Sequence, residues 1–189
     1  MNWSDRDFLE KIIKLCSKGD RQSQQILYKE FYGKMLKVCV RYSTNVDEAK
    51  DVLHDGFIKI FEKIDRYDYR GSFEGWVRRI IANTAIDNLR KRRDFLSDYD
   101  ITENLCEDDF IEEEKYKNIS NEQVMKAIQC LSPSYKAVFN MYAFEGFSHK
   151  QIAEKLNISE GTSKSNLSKA RVRLQEILKE CMNKIEVEV

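Results

Sequence analysis

Residues 146–159 read Gly146-Phe147-Ser148-His149-Lys150-Gln151-Ile152-Ala153-Glu154-Lys155-Leu156-Asn157-Ile158-Ser159. Ser148 can cap a short helix over His149–Leu156, because its hydroxyl accepts from a free backbone N–H of the first turn. Asn157 tolerates the left-handed conformation that ends such a helix. Ser159 caps a last helix expected from Glu160 to about Lys184. A short helix, a tight turn and a longer helix form the helix-turn-helix plan, in which the second helix enters a major groove.

At about 100° per residue the last helix has two faces. Leu167, Ala170, Leu174, Ile177 and Leu178 form one apolar stripe. Thr162, Ser165, Asn166, Lys169 and Arg173 fall across from it, a set of donors and acceptors suited to bases and phosphates. The plain alternative is a solvated helix face. The turn and the two caps favour DNA.

Working back toward the N-terminus, Ser132-Pro133 reads as an N-cap and a first-turn proline for a helix ending at Glu145-Gly146. Another short helix precedes it over Asn121–Cys130. Four longer helical patterns fill the first half: Asp7 to Ser17, Arg21 to about Tyr42, Asn45 or Asp47 to Ile64, and Phe73 to about Arg93. The third is the cleanest, with Ala49, Val52, Leu53, Phe57, Ile60, Phe61 and Ile64 at helical spacing. A polar aromatic stretch, Asp65–Ser72, separates it from the fourth.

The chain has 189 residues, with 32 basic and 32 acidic side chains and a formal net charge of zero. The balance hides three blocks: residues 1–93 sum to +6, residues 94–120 to −8 and residues 121–189 to +2. Such asymmetry points to a charged partner. With one proline and 7 glycines, none clustered, the chain suits neither an all-β fold nor a Rossmann or P-loop unit. The start, MNWSDRDFLEKII, has no apolar core of a signal peptide, and no stretch approaches a membrane span. The five cysteines are odd in number and form no CxxC pair, so they read as reduced thiols in a cytoplasmic protein. The expectation is an all-α protein of two small helical domains, residues 1–93 and 119–189, joined by an acidic linker over 94–118.

The run Leu131-Ser132-Pro133, then Phe147 through Ser165, then Lys169-Ala170-Arg171, resembles region 4 of the extracytoplasmic-function sigma factors of bacterial RNA polymerase, which keep only regions 2 and 4. The resemblance implies −35 promoter reading, with Thr162, Lys164, Ser165, Asn166, Lys169 and Arg173 as the contacting residues. Two positions depart from the family. Ser163 replaces a common valine on the buried stripe and is expected to bond the backbone within its helix. Asn166 replaces a frequent arginine and suits adenine.

Asp47 through Phe61 is similar to region 2.2. Its outer face, Asp51, His54, Asp55, Ile58 and Glu62, sets an apolar anchor in an acidic rim, a pattern that suits a partner helix. The resemblance implies that this face grips a basic coiled coil of the polymerase β′ subunit; His54 stands where glutamine is often found and adds a titratable group. Residues 67–93 look like regions 2.3 and 2.4, which open the −10 element. Tyr67, Asp68, Tyr69, Arg70 and Ser72 offer stacking and edge contacts to unpaired bases. Arg79, Asn83, Asp87 and Arg90 follow one helix face beside them, with an ion pair to an arginine as the other role open to Asp87. Trp76 is expected in the core.

The partners implied are core RNA polymerase (β′ coiled coil and β flap), double-stranded −35 DNA, single-stranded −10 DNA and an anti-sigma factor, with no cofactor, metal, catalytic residue or membrane insertion. Two other readings compete. A helix-turn-helix regulator with an N-terminal helical sensor domain leaves the aromatic-basic stretch unexplained. A nuclease built on Asp47, Glu48, Asp51 and Asp55 lacks a second ligand helix.

Overall fold

The computed structural model describes Trp3, residues 5–93 and residues 120–187, and the regular elements among them are all helices. The expected acidic linker lies outside the described residues. The chain divides into two units, Met1–Lys91 and Arg92–Val189.

The first unit holds α1 (Arg6–Ser17), α2 (Arg21–Tyr42), α3 (Val46–Lys63), a 3-10 turn at Ile64–Arg66, and α4 (Phe73–Arg93). Local chemistry sets these boundaries. Asp5 caps α1, accepting from the N–H groups of Asp7 at 3.0 Å and Phe8 at 3.3 Å. Gly19, at φ +80°, then ends it: Gly19 N–H donates to Cys16 O and Asp20 N–H to Leu15 O, the paired bonds of a Schellman stop. Asp20 itself caps α2 through Ser23 N–H at 2.8 Å. Asn45 caps α3 through Glu48 N–H at 2.8 Å, and the Glu48 carboxylate reaches back to Thr44 N–H at 2.8 Å.

Leu27, Phe31 and Met35 of α2, Leu53, Phe57 and Ile60 of α3, and Val77, Ile81 and Ile86 of α4 are buried. Each such side chain contributes about 1.5–3 kcal/mol relative to exposure. Trp3 extends this core at the N-terminus, with ring centroids 5.1 Å from Phe31, 5.5 Å from Phe8 and 6.5 Å from Phe73. Cys16 and Cys39 are buried, and burial pushes their thiols up to about 11 and about 12, so both stay protonated at neutral pH.

The second unit holds α5 (Asn121–Gln129), α6 (Pro133–Ala143), α7 (His149–Leu156) and α8 (Glu160–Val187). α8 packs against each of the other three. Ala127, Ile128 and Leu131 meet Ala170, Leu174 and Ile177, with Leu178 packed beside them, so the expected apolar stripe of the last helix is its buried side. Capping boxes start α5 (Ser120 with Gln123) and α7 (Ser148 with Gln151). The expected cap at Ser132 differs. Its hydroxyl accepts from no backbone N–H of the helix and instead bonds that of Ser134 at 3.4 Å, while its carbonyl accepts from Lys136 N–H. Pro133 has no N–H, so α6 begins with one fewer donor to satisfy.

Candidate polymerase and nucleic-acid interfaces

The outer side of α3 forms one surface. Asp51, His54, Asp55, Ile58 and Glu62 are all exposed. Ile58 is 45% exposed, while Val52, Leu53, Phe57 and Ile60 of the same helix are buried. Helical pitch puts the two sets on opposite sides: the inward residues hold the helix to α2 and the outward ones stand free for a partner. An exposed isoleucine ringed by carboxylates suits a basic helix carrying an apolar socket.

The loop between the 3-10 turn and α4 forms a second. Tyr67 differs from expectation. It is 6% exposed, its hydroxyl donates to Gly71 O at 2.8 Å, and its ring lies 4.9 Å from Tyr69, 5.1 Å from Phe73 and 5.7 Å from Trp76. It staples the loop to the core and offers no open face to a base. The hydrogen-bonded hydroxyl makes burial of this tyrosine tolerable. Tyr69 is the open ring, 37% exposed, at φ +60°. A left-handed tyrosine is uncommon, and strained backbone concentrates at functional sites. Asp68 accepts from Arg70 N–H at 3.1 Å, and Ser72 caps α4 by accepting from Gly75 N–H at 3.1 Å. Trp76 is half-buried, stacked on Phe73 at 5.7 Å.

A cavity of about 390 Å³ opens beside this loop, lined by Trp3, Arg6, Phe31, Lys34, Tyr69 and Phe73 among others. The Arg6 guanidinium sits over the Tyr69 ring at 5.6 Å. Lys34 bonds Glu74 at 2.7 Å, linking α2 to the start of α4. Trp3 and Arg6 were not visible as site residues in the sequence; the one local sign is a tryptophan just ahead of the Asp5 cap. On α4, Arg79, Asp87 and Arg90 are exposed and Asn83 is half-buried, four residues along one side.

The helix-turn-helix forms the third. α7 closes on Asn157 at φ +52°, ψ +52°, with Ile158 N–H donating to Ala153 O at 3.1 Å. Ser159 starts α8 by accepting from Thr162 N–H at 2.9 Å, and the two hydroxyls lie 2.8 Å apart, so the Thr162 hydroxyl belongs to the cap. Lys164 is exposed, Ser165 and Lys169 are half-buried, and Arg173 is exposed and bonded to Glu176 at 2.8 Å. Asn166 departs from expectation: it is 8% exposed, and its Nδ2 has no partner. It sits on the flank of the buried stripe, where α8 meets its neighbours, and is no open base reader. Ser163 is also corrected. Its hydroxyl shares a 2.9 Å hydrogen bond with His149 Nδ1 and does not turn back onto its own helix. Among the described residues, no group of three or more His, Cys, Asp or Glu side chains is placed to hold a metal, and no helix is long and apolar enough to cross a membrane.

The first unit sets a strained aromatic loop beside a basic helix, and the second is built as a helix-turn-helix. Residues 27–95 match Sigma-70 region 2 and residues 121–174 match Sigma-70 region 4. The chain is 28% identical over 182 residues to SigW, an ECF RNA polymerase sigma factor of Bacillus subtilis, spanning 91% of this chain and 97% of that protein. It is 26% identical over 181 residues to the RNA polymerase sigma-H factor of Pseudomonas aeruginosa, spanning 89% and 93%. Among solved structures it is similar to RpoE of Bartonella quintana, determined in complex with the anti-sigma factor NepR (TM-score 0.48, 26% identity, 82% of this chain and 98% of that one). The chain belongs to the sigma-70 family, in its extracytoplasmic-function group, and is a sigma factor that directs RNA polymerase in transcription initiation.

Proposed function

We propose a division of labour among the three surfaces. The outer side of α3, with Ile58 as anchor and Asp51, His54, Asp55 and Glu62 as rim, binds the β′ coiled coil of core polymerase. The 67–72 loop and α4 engage the −10 element once its strands part. Tyr69 supplies a stacking face, Asp68, Arg70 and Ser72 line its approach, and Arg79, Asn83, Asp87 and Arg90 follow the strand alongside. Tyr67 acts behind this surface by holding the loop. The exposed side of α8, carrying Lys164, Ser165, Lys169 and Arg173 next to Thr162, takes the −35 duplex.

One observation carries the reading: Tyr69, held at positive φ, lines a cavity walled by the rings of Trp3, Phe31 and Phe73, with Arg6 and Lys34 at its rim beside Glu30 and Glu74. Aromatic walls suit an unpaired nucleobase, and its phosphate would draw Arg6 and Lys34 from their partners Glu10 and Glu74. Opening then needs no catalysis and no cofactor, because preferential binding of the unpaired strand pulls the duplex apart. The protein acts in the cytoplasm, where its polymerase is, and contacts the β flap through the second unit. An anti-sigma factor belongs to the same reading on family membership alone.

Run-off transcription tests it. Purified protein with core polymerase, supplied with a library of genomic fragments, should initiate at a discrete promoter set. A helix-turn-helix regulator would bind such fragments and start no transcripts from core enzyme.

A further inference from the structure

Three elements of the second unit converge on one imidazole. His149 is the first residue of α7. Its ring stacks on Tyr142 of α6, with centroids 5.0 Å apart and planes 23° from parallel. Its Nδ1 shares the 2.9 Å bond with Ser163 of α8, a fully buried hydroxyl. The Arg171 guanidinium of α8 also lies over the Tyr142 ring, 5.9 Å from its centre. Tyr142 and His149 are thus tied to α8 by Arg171 and Ser163.

The placement matters because of where the covalent turn is. Asn157-Ile158-Ser159 joins the C-terminal end of α7 to the start of α8. His149 lies at the opposite end of α7, about 10 Å along its axis at 1.5 Å per residue. A turn alone is a pivot. The direction of one helix against another is fixed only when a second point is tied. Ile152, Ala153 and Leu156 supply burial along α7, but apolar contact is non-directional. The His149–Ser163 bond is directional and closes the triangle.

We propose that His149 is a positioning residue for −35 recognition, fixing through Ser163 and Tyr142 the angle at which α8 enters the groove. The inference rests on α8 being the DNA-reading helix. It also gives recognition a pH dependence. The groups around the ring are Tyr142 from α6 and Lys164, Arg171 and Glu160 from α8. Burial, then Lys164 and Arg171, disfavour the imidazolium, and Glu160 opposes them. A proton on His149 therefore places charge near Lys164 and Arg171 and loosens the contact.

The test measures binding of the full chain to a short duplex carrying the −35 segment of a promoter found by run-off transcription, and to a scrambled duplex. His149→Ala and Ser163→Ala should each weaken promoter binding roughly tenfold, the size expected for one broken buried hydrogen bond, with scrambled binding unchanged. The double variant should be no worse than either single one, since both remove the same bond. His149→Gln can still bond Ser163 and does not titrate. It should keep the preference and stay flat where wild-type preference declines, as pH falls below about 6.5. Circular dichroism on each variant separates lost positioning from lost fold. Full promoter preference in folded His149→Ala, or a His149→Gln pH profile equal to wild type, would overturn the proposal. If the wild type fails to distinguish the two duplexes, the reading of α8 falls and the inference with it. If it distinguishes them and the variants do so equally, the inference alone falls.

Discussion

Gly56 of α3 lies directly against the side chain of Ile81 on α4: a Cβ at position 56 would overlap the Ile81 Cδ1. Ile81 is fully buried, so its terminal methyl must shift within the core to make room. Two effects compete in Gly56→Ala. Alanine gains about 1 kcal/mol of helix propensity over glycine. Overpacking a closed core costs about 1–3 kcal/mol. The second wins, and a net loss of about 1 kcal/mol is expected by chemical denaturation. Gly56→Ala combined with Ile81→Val, which removes the Cδ1, should recover part of it.

Asp51→Lys with Asp55→Lys reverses the charge of the α3 rim without touching its buried side. Both residues are exposed. Core polymerase binding should fall by at least tenfold in a pull-down or fluorescence titration, with the circular dichroism spectrum unchanged. Undiminished binding would remove α3 as the docking face.

The two loop tyrosines should separate by phenotype. Tyr67→Phe removes the bond to Gly71 O and should cost about 1 kcal/mol of stability. Tyr69→Ala removes an open ring and should leave stability nearly unchanged while weakening open-complex formation by the equivalent of about 1–3 kcal/mol, the worth of one stacked base. Permanganate footprinting reads the second effect. Equal losses of opening and of polymerase binding would refute the assignment.

Lys169→Ala should weaken duplex binding to specific and scrambled sequences alike and lower the salt slope by about one, as for a lost phosphate contact. Filter binding across a salt series measures both quantities. A loss confined to one sequence would instead mark Lys169 as a base reader.

Stability should depend on pH through His149. Its surroundings hold the imidazole below the ordinary 6.5, so the fold favours the neutral ring. This contribution is complete above about pH 6.5 and is lost as pH falls from there toward the folded value, because the unfolded chain takes up the proton first. Thermal midpoints between about pH 7 and 5 should decline more steeply in wild type than in His149→Gln.

The helices were legible because their signals are local. Period, caps and stops lie within a few residues of one another, and Ser148, Asn157 and Ser159 all act where the sequence puts them. The acidic side of α3 was legible for the same reason, since one face of one helix follows from pitch. Tyr67 and Asn166 were not. Each sits at the margin of a face, and which way a marginal side chain turns is decided by packing that helical period does not encode: the rings of Phe73 and Trp76 and the Gly71 carbonyl close over Tyr67. The His149–Ser163 bond spans 14 residues and three-dimensional packing, and no periodicity announces it. Trp3 likewise finds Phe31 and Phe73 only when α2 and α4 are in place.

The loop carrying Tyr69 is bent before any nucleic acid arrives. Its positive φ, the Tyr67 hydroxyl on Gly71 O and the Asp68 turn are all made within the free domain. The entropy of shaping that loop is therefore settled during folding and is not charged to promoter capture. On the proposed role of this loop, substitutions that slacken it should slow opening even where every side chain assigned to the strand survives.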